Sequence, residues 1–418
     1  MNNLKEVKQK ANWCLGCKNR PCSNACPMHT SVPEFIGKIK EDKIEEAYQI
    51  LIQNNLFSHV CGLICPQENQ CEGSCVRGIK GNPTEIGKLE VFVNEWAVEN
   101  QIEPKIFQKE AVSDKKVAII GAGPAGLSCA FELAKEGVRS VVFEKEEVLG
   151  GILNYGIPDF RLEKKVIDKI IQVLRKMGVE FRLGHALGKN ISIAELKEEY
   201  DFVFIGIGAE LSSMYKLADQ KLDSVYDSDT FLRAYNDKNF ISNLGKVVVI
   251  GGGNVAMDSA RAAIRMGAEE VSILYRRDEA HMPARKVELV DCKKDGVKWV
   301  ELTRVDRANI ENGKMVSVHC NKTEIIDGKA QDIEGEEFDY EADTVVFAIG
   351  LKPNKELLEK EGLGITDWGT IQVDENYETS IENVYAGGDV AENKSVVCKA
   401  LASGKKAAEA IGGKILSL

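Results

Sequence analysis

The sequence has no excess of positive charge: 54 Lys and Arg stand against 65 Asp and Glu, a formal net charge of −11. Nucleic acid and anionic membrane surfaces both require a basic face, so neither is expected as the main partner. Long apolar runs are missing as well. Stretches such as Val345–Ile349 have the length of a buried strand, far short of a membrane span. Met1–Ala11 is Lys-rich but has no apolar centre, which argues against a signal peptide or anchor and for a cytoplasmic protein. Histidine is scarce. The five, His29, His59, His185, His281 and His319, are dispersed, and no triad, paired carboxylates or metal-hydrolase constellation surrounds them. Short-period repeats and low-complexity segments are absent.

What remains is a chain of 418 residues, 44% hydrophobic and 28% charged, long enough for two or three domains with separate cores. Cysteine is the residue in surplus. Of twelve, eight lie between Cys14 and Cys75, while Cys129, Cys292, Cys320 and Cys398 stand alone. A reducing compartment disfavours disulfides, so the clustered eight point to metal. Cys14-x2-Cys17-x4-Cys22-x3-Cys26-Pro27 resembles the bacterial ferredoxin run, and Cys61-x3-Cys65-Pro66-x4-Cys71-x3-Cys75 follows. Four-cysteine zinc sites also use short spacings and stand as the alternative. The Cys-Pro end and the ferredoxin-like spacings favour iron and sulfide.

Around these cysteines the pattern is helical. Ser31-Val-Pro-Glu34 reads as a capping box opening a helix that buries Phe35, Ile36 and Ile39. Asp42–Asn54 is a second amphipathic stretch, and Ile86, Leu89, Val93 and Trp96 mark another after the turn at Gly81-Asn-Pro83. Gln101–Asp114 is polar and reads as a linker.

From Lys115 a strand, a glycine turn, a helix and a second strand occur in order, and they do so twice. Gly121-Ala-Gly123-Pro-Ala-Gly126 follows Val117–Ile120 and opens a helix; the next strand ends in Glu144, placed to accept from an adenine-ribose hydroxyl. The glycines allow a tight turn, approach of backbone N–H groups to a pyrophosphate, and close helix packing. Gly150-Gly151 leaves clearance for an extended flavin. Val384-Tyr-Ala-Gly387-Gly388-Asp389 looks like the second FAD motif of flavoproteins with two dinucleotide domains, whose Asp bonds the ribityl chain. The second unit, Gly251-Gly-Gly253-Asn-Val-Ala256, follows Val247–Ile250, and its next strand ends in Arg276-Arg277 where an acid would repel a 2′-phosphate. NADPH is therefore expected over NADH; Arg285 is a further candidate. No Cys-x-x-Cys pair lies in these domains, which argues against a redox disulfide.

Together these segments resemble, over essentially the whole chain, the family of the NADPH-dependent glutamate synthase small subunit and the N-terminal half of dihydropyrimidine dehydrogenase. That family also includes the large subunit of electron-bifurcating NADH-dependent ferredoxin:NADP oxidoreductase. The segment Gly150–Leu162 is especially family-specific and is expected near the flavin. The resemblance implies an α/β fold with two Rossmann-like domains, the nicotinamide domain inserted in the FAD domain, preceded by a helical bis-[4Fe–4S] domain. The expected boundaries are 1–112 for the iron–sulfur domain, 113–225 with 343–418 for the FAD domain, and 226–342 for the NADPH domain. By motif, Cys14, Cys17, Cys22 and Cys75 hold one cluster. Cys26, Cys65 and Cys71 hold the other with a non-cysteine ligand, which Ile86-Gly-Lys-Leu-Glu90 identifies as Glu90, Cys61 being the alternative.

The expected activity is electron transfer between NADPH, FAD and two [4Fe–4S] clusters, in exchange with a second catalytic subunit or ferredoxin in a hetero-oligomer. A stand-alone NAD(P)H:ferredoxin or NAD(P)H:sulfur or polysulfide reductase is the alternative, and a cofactor-retaining scaffold a third. Nothing recognisable binds glutamine, 2-oxoglutarate or a pyrimidine.

Overall fold

A computed structural model of the chain describes residues 4–111, 113–393 and 396–417. They form two compact units: Met1–Leu153 with Arg161–Ala209 and Pro353–Leu418, and Asn154–Phe160 with Glu210–Lys352.

The first unit begins with helices α1 (Leu4–Trp13), α2 (Pro21–Ala25), α3 (Val32–Lys40), α4 (Ile44–Asn54), α5 (Ser58–Ile64) and α6 (Ile86–Glu99). Their apolar stripes close on a core that includes Phe35, Ile36, Ile39, Leu51, Leu89 and Val93. Ser31 is the N-cap of α3, but its side chain makes no cap hydrogen bond, so the expected capping box is not formed. The Val32 N–H donates instead to Ser23 Oγ at 3.3 Å, and Glu34 pairs with Arg20 at 2.6 Å. The expected linker is extended yet tied down: the Lys105 and Phe107 N–H groups donate to Gln49 (2.8 Å) and Gln53 (3.0 Å) on α4. Val112, within it, lies outside the described residues.

The same unit holds a parallel five-stranded sheet in the order Val384–Ala386, Phe202–Ile205, Lys116–Ile120, Arg139–Glu144, Glu180–Leu183. Lys116–Ile120 leads into helix α7 (Pro124–Lys135), and the strand order reverses beside it. Such a switch point is where doubly wound sheets bind ligands. Against α7 packs the C-terminal helix Val397–Ser417.

The second unit repeats the plan: Val225–Asp227, Thr344–Phe347, Lys246–Ile250, Glu270–Leu274, Lys298–Val300, all parallel, with helix Asn254–Arg265 after the glycine turn. It adds a three-stranded antiparallel sheet, Thr303–Glu311, Lys314–Ile326 and Lys329–Glu341. The segments leaving and rejoining the first unit pair antiparallel, Leu351 with Ser212 and Lys352 with Leu211.

Candidate functional site

Two groups of cysteines gather in the helical region. Cys14, Cys17, Cys22 and Cys75 line one pocket together with Val32, Ile36, Thr84 and Ile86. The turns that bring them there need unusual backbone: Gly16 (φ 63°) and Arg20 (φ 46°) are left-handed. Backbone N–H groups of Gly16 and Thr84 already donate to Cys14 and Cys75 Sγ, each at 3.4 Å. Burial pushes the Cys22 thiol up, and Cys14 and Cys75 add to the effect.

The second group is deeper. Cys65 and Cys71 are buried. Burial raises Cys71, with Glu90 and Cys26 contributing, and pushes Cys26 up to about 11, with Cys61 and Glu90 contributing. Glu90, on α6, is only 6% exposed, and its Oε1 has no hydrogen-bond partner. Burial pushes its carboxyl up to about 8. Buried thiols and a buried carboxyl that resist ionisation would be favoured in their charged forms by a bound cationic centre, the chemistry of a ligand set. Cys61 is buried, and its sulfur receives the Asn55 amide at 3.4 Å.

Cys398 was read as isolated in the sequence. It lies in the first turn of the helix Val397–Ser417, where Gln70 faces it with Nε2 at 3.0 Å and Oε1 at 3.4 Å. No local spacing announces a contact across 328 positions.

The glycine turn of the first unit converges as expected. A Cβ on Gly126 would stand 2.0 Å from Gly121 O, one on Gly121 (φ 100°) 2.6 Å from Gly206 O, and one on Gly151 (φ 55°) 3.0 Å from Gly123 Cα. Gly150 donates to Ala122 O at 2.9 Å. The Glu144 carboxylate accepts from the N–H groups of Ala122 (2.7 Å) and Glu146 (3.0 Å), which offset the upward push of burial. Gly388 (φ 73°) abuts Ala125 on α7 and donates to Ser403 Oγ at 2.8 Å; burial pushes the adjoining Asp389 carboxyl up to about 6. Ser403 and Gly404, whose Cβ would lie 2.0 Å from Ala125 O, carry no glycine-motif signature and were missed.

In the second unit a Cβ on Gly251 would meet Ala348 O at 2.3 Å, and Ala256 packs against that glycine. Gly253 is the N-cap of the following helix. Arg276 and Arg277 leave the strand end with no carboxylate partner among the described residues, and Arg277 Nε is buried without a hydrogen bond. Arg285, by contrast, is engaged by Glu288 at 3.7 Å. The segment expected beside the flavin divides: Gly150–Leu153 stays in the first unit, while Asn154–Phe160 packs in the second, with Phe160 against Arg261 and Arg265.

Residues 115–407 match the family described as pyridine nucleotide-disulphide oxidoreductase. The chain belongs to that family. Residues 1–102 match the domain described as dihydropyrimidine dehydrogenase domain II, 4Fe-4S cluster, which decides for iron and sulfide over zinc. The chain is 36% identical to the glutamate synthase (NADPH) small chain of Escherichia coli (strain K12), covering 97% of itself and 91% of that protein. It is 33% identical to the NAD-dependent dihydropyrimidine dehydrogenase subunit PreT of Escherichia coli O157:H7, over 96% and 93%. A structure of Mycobacterium tuberculosis FprA in complex with NADPH shares the fold, with a TM-score of 0.60 at 20% identity over 73% of this chain and 85% of that one. The chain is thus an NAD(P)H-dependent iron–sulfur flavoprotein oxidoreductase. Among the described residues no helix is long and apolar enough to cross a membrane.

Proposed function

We propose that this chain is the electron-input subunit of a larger enzyme, taking reducing equivalents from NADPH and delivering single electrons to a partner subunit. The observation that carries the reading is the junction at Cys398. Gln70, next to Cys71, lies 3.0 Å from the Cys398 sulfur on the helix that follows the second flavin motif. Gly388 of that motif donates to Ser403 on the same helix, so the flavin turn and the second cysteine group meet one helix.

In this reading Gly121, Gly123, Gly126 and Glu144 hold the ADP half of FAD, and Gly150, Gly151, Gly388 and Asp389 admit its flavin half. Gly251, Gly253 and Ala256 cradle the pyrophosphate of the nicotinamide coenzyme. Arg276 and Arg277 select the 2′-phosphate, a role favoured by guanidinium groups that no carboxylate occupies among the described residues. Cys14, Cys17, Cys22 and Cys75 hold one [4Fe–4S] cluster; Cys26, Cys65, Cys71 and Glu90 hold the other. Cys61 is set aside in favour of Glu90, whose buried Oε1 has no partner among the described residues, whereas the Cys61 sulfur already receives the Asn55 amide. When bound, these groups supply a two-electron carrier and one-electron relays, and the protein's part is to position and tune them. Electrons leave at the first group, where Cys14, Cys17 and Cys75 are half-buried and Leu15, Val76 and Ile79 are exposed, Ile79 by 77%.

Anaerobic stopped-flow reduction of the flavin tests the input side. NADPH should bleach the flavin band at far lower concentration than NADH, and equal dependence on the two would remove the role of Arg276 and Arg277. Affinity purification from the native cell tests the output. A stoichiometric second subunit supports the proposal, while full turnover with soluble ferredoxin alone replaces it with a stand-alone reductase.

A further inference from the structure

We infer that Arg77, seated on the Trp13 ring and lining the first cysteine pocket, holds up the reduction potential of the cluster bound there. The inference rests on the reading of Cys14, Cys17, Cys22 and Cys75 as that cluster's ligands. Trp13 immediately precedes Cys14, and Arg77 is the second residue after Cys75, so the pair joins the two cysteine runs beside their ligands. The guanidinium carbon lies 4.1 Å from the indole centroid, and Arg77 Nε donates to Trp13 O at 2.8 Å across 64 positions. The indole is fixed in turn. Its Nε1 donates at 2.9 Å to Asn82 O, two residues before the Thr84 whose N–H donates to Cys75 Sγ.

Arg77 is thus held by two contacts to a single residue, and it lines the same pocket as the four thiols. Among the described residues lining that pocket it is the one with a charged side chain, the rest of the wall being apolar apart from the thiols and Thr84. No carboxylate pairs with it among the described residues, so its charge is left to act on the pocket. A cube held by four thiolates is an anion, and reduction adds one more negative charge. A fixed cation therefore favours the reduced form, and net charge and solvent exposure both help set iron–sulfur potentials. Trp13 is the positioning residue. Its ring stays 44% exposed, and the face it offers keeps the guanidinium from wandering into water.

The test uses the full-length holoprotein without a partner, purified anaerobically, with iron and sulfide assayed and both clusters followed by EPR at controlled potential. Arg77→Gln should keep its full iron and sulfide. One midpoint should fall by about 59 mV, a tenfold change in a one-electron equilibrium, while the other stays in place. The gap from wild type should narrow in high salt, as a charge effect at a partly exposed site requires. Arg77→Lys, which keeps the charge and can still stack, should stay near the wild-type midpoint. Trp13→Leu, which removes the seat but not the charge, should lower the same midpoint part of the way, and carries the test if the glutamine variant does not fold. Unchanged midpoints in Arg77→Gln or in Trp13→Leu overturn the inference and leave the pair to partner docking. A full fall in Arg77→Lys, or loss of iron from Arg77→Gln, also overturns it, by making the pair a structural clasp. A Cys75→Ala chain that keeps both clusters would instead overturn the ligand assignment on which the inference stands.

Discussion

At the scale of single residues, Glu90 is a carboxyl kept from water with one oxygen unpaired, an arrangement that costs stability unless a cation completes it. Glu90→Ala is expected to lose or degrade one cluster, read as lower iron and sulfide per chain and loss of one EPR signal, while Cys61→Ala keeps both. The reverse pattern would make Cys61 the ligand. His59 shows the opposite electrostatics: burial, reinforced by Lys169, pushes its pKa from the ordinary 6.5 down to about 4. The unfolded chain therefore binds a proton in that interval that the folded chain refuses, so stability falls as pH drops from about 6.5 to about 4. Melting temperatures measured across that window should fall less steeply in His59→Gln than in the wild type.

At the scale of elements, the contact between α7 and the C-terminal helix depends on the absence of a side chain. Ser128 Oγ donates to Leu401 O at 2.7 Å, and Gly404 lets the two backbones meet. Gly404→Ala should force the helices apart, costing about 1–3 kcal/mol, with weaker FAD retention on gel filtration and a lower melting temperature. An unchanged flavin content and melting point would refute it. The strand–glycine–helix units were legible because each rests on local chemistry: a buried apolar strand, a glycine at positive φ, a helix start. The same locality explains the failures. Ser31-x-x-Glu34 has the letters of a capping box, but Arg20 captures Glu34 and Ser23 supplies the cap, and neither competitor can be foreseen from spacing. The long antiparallel strands at 303–341 escaped notice because they are largely polar and half-exposed, leaving little alternation to read.

At the scale of the whole molecule, charge is unevenly spread. Against a net charge of −11, residues 4–20 and 75–88, which flank the first cysteine group, carry eight Lys or Arg and two Glu. Lys18 and Lys80 are exposed and have no ion pair among the described residues. A partner docking there is expected to be acidic. Replacing both lysines by glutamate should slow electron delivery to an acidic ferredoxin by about tenfold at low ionic strength, and less at high salt. Reduction of a small neutral dye should not change; an equal loss with both acceptors would place the defect inside the protein. The glycine turns were readable from the sequence, since their backbone demands are short-range. The Gln70–Cys398 contact was not, because only the packing of the last helix brings the two together.

Within the second unit the two ends of 210–352 pair, Leu211–Ser212 with Leu351–Lys352, and the excursion Asn154–Phe160 belongs to the same unit. A transplant of residues 210–352 from an NAD-using relative would have to bring its own version of 154–160, because the clamp of Arg261 and Arg265 on Phe160 is part of the transplanted body.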